Sequence, residues 1–238
     1  MTEPPAASPA QVDPGREEDF ESRWEAAPAV LAIMGLQTAM AIVSRAEGWS
    51  LWIVPWWIWL VGIGPEALLL FPLMNDRLRH RLEQGGHRRA VGIALFGVVS
   101  LANTLLLLAV LASLISGHER SGAQLLVKGG IVWSTNTITF GLWFWALDRG
   151  GPVRRLQANP LPADFLFPQV DNPRIGMPGW YPRLFDYMYV SFTNSIAFSP
   201  TDTMPLSVSA KFLMLTESAV SAVTVLLIAA RSVNIFAG

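Results

Sequence analysis

The chain has 238 residues, 52% of them hydrophobic and only 15% charged, against about 25% charged in ordinary soluble domains. A net charge of −1 argues against nucleic acid as a partner in any global sense. The lack of cysteine rules out a disulfide framework and thiolate chemistry.

Residues 1–27 hold seven Asp or Glu and two Arg, interleaved with Pro4, Pro5, Pro9 and Pro14. Such a segment cannot bury enough apolar surface to offset its ordering entropy, which predicts a disordered acidic tail. Its acidic start is unlike a signal peptide. Residues 28–238 form the expected transmembrane domain, an all-α, multi-pass helical bundle of about six membrane helices.

The first apolar run, residues 26–44, carries no charge and is close to the length needed to cross roughly 30 Å of hydrocarbon. Pro28 suits a helix start, and Gly35 with Ala39 forms a small-xxx-small pair fit for close helix contact. The second run, 49–74, spaces Trp49, Trp52, Trp56 and Trp59 so that one helix would stack them on a single face. Pro55 and Pro65 are candidate kinks, and Glu66 is the carboxylate of this run.

Residues 75–89 read as a solvated basic loop with five Arg, and its His80 and His87 are better explained by headgroup solvation than by a metal. The third run, 90–116, has Asn103 at its centre. The fourth, 122–147, has Lys128 near its start, expected to snorkel to the interface, and Asn136 among Ser134, Thr135, Thr137 and Thr139. Residues 150–183, rich in Pro and Gly, read as an extended ordered loop whose Phe165 and Phe167 pack on the membrane surface. The fifth and sixth runs, 181–199 and 205–231, flank a polar hairpin of Ser199, Pro200, Thr201 and Asp202.

Counting Lys and Arg by segment under six spans puts thirteen of the seventeen on one side. The positive-inside rule makes that side cytoplasmic and places both termini there. A re-entrant 184–199 segment with five spans is the disfavoured alternative.

The stretch Ser191-Phe192-Thr193, Asp202-x-x-Pro205 and Ala210-Lys211-x-Leu213-x-x-x-Glu217 resembles the pore region of two-helix potassium channels. The positions aligned with the filter, Ala197 to Thr201, lack its glycines and tyrosine, so the filter chemistry is not carried over. Phe167-Pro168, Asp186-Tyr187, Tyr189, Ser191-Phe192-Thr193 and Thr201-Asp202 resemble an uncharacterised bacterial membrane family, domain of unknown function 1345. That resemblance implies a bacterial inner-membrane protein and brings no activity.

Polar groups within hydrocarbon are functional candidates by default. Glu66, Asn103, Asn136, Thr193, Asn194 and Glu217 fall at similar depths and are expected to form one polar cluster, with Glu217 the titrating member. The expected function is passage of an ion or small solute in a channel-like manner. The alternative is a structural or partner-binding membrane protein whose Asn and Glu only specify packing. No H-E-x-x-H, G-x-S-x-G or glycine-rich phosphate loop is present, so no enzyme, cofactor or metal is expected. The lipid bilayer is the expected partner, and self-association into a homo-oligomer is left open.

Overall fold

In the computed structural model the described residues are 26–117, 121–152, 154–156, 161–172, 180–199 and 202–237, with side chains up to 229. The expected tail to residue 25, and Pro200 and Thr201 of the hairpin, lie outside them. The described chain is mostly helical, and four stretches are long and apolar enough to cross a membrane: Ala27–Ala46, Trp56–Met74, Arg88–Ile115 and Val208–Ala229.

Helix α1, Ala27–Ala46, starts with Pro28 in its first turn, where the missing N–H costs no helical bond. Gly35 and Ala39 do not mediate helix contact. Both are exposed, and a Cβ on Gly35 would meet nothing within 4 Å. The second run is not one helix. Leu51 and Val54 form an isolated bridge, with Trp52 between them at φ 55°. A 3-10 turn, Trp56–Leu60, follows Pro55, and only then comes α2, Ile63–Met74. The tryptophans therefore share no face: Trp52 is 40% exposed and Trp59 1%. Pro65 lies in the first turn of α2, where it forces no kink, while Pro72 sits inside the helix.

The basic segment is a helix rather than a loop: α3, Asp76–Gln84, is capped by Asn75, whose side chain accepts from the N–H of Arg77 (3.1 Å) and Leu78 (3.3 Å). His80 contacts Glu83 at 3.1 Å, and Glu83 also pairs with Arg79 and Arg88. Helix α4 is Arg88–Ile115 and α5 is Gly122–Leu147.

Residues 150–183 hold the 3-10 turn Arg154–Leu156, the strand β1, Phe165–Leu166, and the short helix α6, Pro168–Asp171. Phe165 and Phe167 are not at the surface. They are 1% and 4% exposed and pack edge-on against Tyr187. Phe165 is held by the antiparallel pairing of β1 with β2, Met204–Pro205, and Phe167 also packs on Trp180.

Helix α7, Leu184–Ala197, is shorter than the expected fifth span. Its 14 residues rise about 21 Å, less than the hydrocarbon thickness. It ends at Phe198 with φ 54°. Helix α8, Val208–Ala237, begins later than Pro205, where Ser207 Oγ accepts from the N–H of Ala210 at 3.1 Å.

Helix α5 is the centre of the bundle, packed by α1, α4, α7 and α8. That explains how its middle can be polar, because protein rather than lipid surrounds it. Glycines let neighbours close in: a Cβ on Gly129 would lie 2.3 Å from Ile228, and one on Gly141 2.5 Å from Met188 Sδ.

Candidate functional site

The expected single polar cluster is divided into three, because depth along a helix does not fix which face a residue occupies. On α7, Ser191, Asn194 and Ser195 recur at one-turn spacing and so share a face. That face meets Glu217 of α8, which is fully buried. Glu217 Oε2 accepts from Asn194 Nδ2 at 2.7 Å, and Oε1 contacts Ser191 Oγ. Asn194 Nδ2 also reaches the Met214 carbonyl (3.0 Å), while its Oδ1 accepts from Ser218 Oγ (3.1 Å). The Thr137 carbonyl of α5 lies 2.6 Å from Ser191 Oγ, so one hydroxyl proton faces two acceptors. Thr137 Oγ1 closes the set onto Ser195 Oγ at 3.3 Å. Both carboxylate oxygens are thus engaged, and three helices are tied together. Glu217 does not pair with Asn103 or Asn136.

Thr193 is not part of this set. Its hydroxyl turns back on its own helix, to the carbonyls of Tyr189 and Val190 (3.0 Å each). Ser199 and Asp202 flank the hairpin and belong to no buried cluster.

The second cluster joins α4 to α5 by a single bond, Asn103 Nδ2 to Asn136 Oδ1 at 3.1 Å. Asn103 Oδ1 and Asn136 Nδ2 are buried with no partner among the described residues.

The third cluster is Glu66 of α2 with Gln37 of α1. Glu66 is 0% and Gln37 1% exposed, and Gln37 Nε2 donates to Glu66 Oε1 at 3.1 Å. Glu66 Oε2 and Gln37 Oε1 have no partner among the described residues. Gly62 permits the approach, since a Cβ there would lie 2.9 Å from both Glu66 Oε1 and Ala102 Cβ. Two turns along the same buried face of α1, Ser44 Oγ is also unpartnered, as is Trp59 Nε1 in the 3-10 turn. Lys128 is fully buried rather than reaching the interface, its Nζ donating to the Ser50 carbonyl at 2.5 Å.

Sequence reasoning missed Gln37 and Ser191 as partners of the two carboxylates, and Ser218 as a partner of Asn194. For Gln37 a signal existed: it is the only amide in a run otherwise apolar or hydroxylic. Also missed was a buried lock around Asp148. Its Oδ2 accepts from Tyr187 OH at 2.5 Å, and Oδ1 accepts from the N–H of Asp164 (2.9 Å) and Phe165 (3.3 Å). Arg155 Nη1 donates to Tyr187 OH at 2.6 Å, and Nη2 donates to the Trp145 carbonyl.

Among the described residues no three His, Asp or Glu gather as metal ligands do. The chemistry on offer is carboxyl, amide and hydroxyl, groups that bond protons, water or a hard cation. No family model, no curated protein and no solved structure matches the chain, so nothing among known proteins bears on the two resemblances read from its sequence.

Proposed function

We propose that the protein is an integral membrane protein of six membrane-embedded helices, both ends on the arginine-rich side, that passes a proton or small cation through its interior. Glu66 is the charged member of that path in this reading. The observation that carries it is that the buried, bonded pair Glu66 and Gln37 leaves Glu66 Oε2 and Gln37 Oε1 each without a partner among the described residues. A buried polar atom left without a bond costs about 1–3 kcal/mol, and a mobile proton, water or cation that binds there offsets that cost. Ser44 Oγ, two turns further along α1, is another buried polar atom with no partner among the described residues.

The test is flux from liposomes holding the purified protein under a proton, sodium or potassium gradient. Wild type passes one of these ions, Glu66→Gln does not, and Glu217→Gln retains flux. Wild-type protein that passes none of the three overturns the reading. Reporter fusions after Leu82 and after Gly117 check the topology and should report opposite sides. A second reading, a purely structural membrane protein, is favoured by Glu217, whose carboxylate oxygens are both engaged. It predicts no flux at all and a chain whose variants differ only in stability.

A further inference from the structure

At the arginine-rich end, a cavity of about 750 Å³ opens between the start of α1, the end of α2, the start of α4 and the end of α5. That volume is within the roughly 300–1,000 Å³ typical of small-molecule sites. Its wall is apolar, with Leu70, Leu73, Ile93 and Phe96 along it, and Ile93 is 40% exposed on the outer face of α4. Its rim is basic: Arg88, Arg89 and Arg154 stand there against a single carboxylate, Glu83. Glu83 is taken up by Arg79, His80 and Arg88. Arg89 and Arg154 pair with no carboxylate among the described residues.

An apolar slot under a guanidinium rim matches an anionic amphiphile. Guanidinium forks fit phosphate oxygens, and apolar side chains fit hydrocarbon. We propose that this cavity binds an anionic membrane phospholipid, its phosphate held by Arg89 and Arg154 and one acyl chain lying along Leu73, Ile93 and Phe96. A lipid is the better occupant than a soluble phosphate because α1, α4 and the stretch Trp56–Met74 that ends in α2 are long and apolar enough to lie in a membrane. The basic end is also where the positive-inside rule puts the anionic inner leaflet. This site is independent of whether the protein passes an ion.

Gly92 supplies a direct means of blocking the cavity. It lines the cavity, and a Cβ there would meet nothing within 4 Å, so Gly92→Phe fills the space without striking the backbone. Full-length protein in non-ionic detergent is titrated with phosphatidylglycerol, with phosphatidylcholine of the same chains, and with glycerol phosphate. Bound lipid is counted by native mass spectrometry and melting is followed in parallel.

The expected result is one phosphatidylglycerol retained per chain in preference to phosphatidylcholine, with a raised melting temperature. Arg89→Gln/Arg154→Gln should weaken phosphatidylglycerol about tenfold or more, the loss of charge-assisted hydrogen bonds, without changing the melting of the lipid-free protein. Gly92→Phe should remove retention of either lipid. Equal retention of the two lipids, or a double Arg variant that binds like wild type, overturns the proposal. Binding of glycerol phosphate as tight as that of the lipid overturns it in favour of a soluble anion.

Discussion

Glu66 and Glu217 are the same residue type at the same burial, yet their surroundings differ in kind. Around Glu217, one face of α7 brings a donor to each carboxylate oxygen and the neighbouring amide is itself satisfied at both ends. Around Glu66, one amide makes one bond and an oxygen on each partner is left over. A carboxylate whose bonds are complete fixes the packing of its helices, whereas an incomplete one is poised to take up something that moves. Burial alone does not separate the two roles; the count of partners does.

Substitutions can break this comparison. The largest effect is expected from Glu217→Leu, which removes the two hydrogen bonds that Asn194 and Ser191 make to the carboxyl group, at about 1–3 kcal/mol each. Chemical unfolding in detergent should show a loss of several kcal/mol, and Glu217→Gln should recover most of it. If Glu217→Leu is as stable as wild type, the Glu217 cluster is not a clasp. Next comes Gly129→Ala on the same side of the bundle, whose Cβ would drive into Ile228. Overpacking of this kind costs about 1–3 kcal/mol, read as a lower melting temperature.

On the other side, Glu66→Leu breaks a single bond and strands the Gln37 amide while removing an unpaired acceptor, so a net loss of about 1 kcal/mol is expected, with flux abolished. A large destabilisation there, or normal flux, would erase the difference between the two carboxylates. The smallest effect belongs to Gly35→Leu, on an open face of α1, with a change inside about 0.5 kcal/mol by thermal melting. A marked loss would restore that face as a helix contact.

The long uncharged runs were legible as helices because nothing else satisfies the backbone in hydrocarbon. The break between Trp49 and Gly62 was not, because tryptophans at helical spacing mimic a helix while Pro55, which lacks an N–H, follows the bridge that interrupts it. Phe165 and Phe167 were misplaced for a different reason. Phe165 pairs with Pro205, forty positions away, and both rings pack on Tyr187, contacts which no local pattern encodes. The polar residues were legible one at a time, by depth. Which of them meet was decided by helix faces, so Asn103 found Asn136 while Glu217 found Ser191 and Asn194. Gln37 was overlooked because the first run was read for missing charge, and an amide carries none.

The central position of α5 has a consequence for how the chain enters a membrane. This helix carries Lys128 and a middle of Ser, Thr and Asn, residues an isolated segment inserts only at a cost. Its polar face is covered by α7 and α8, which emerge from the ribosome after it. In the proposed six-helix arrangement α5 would therefore wait beside the insertion machinery, or lean on α4 through Asn103, until the last hairpin arrives.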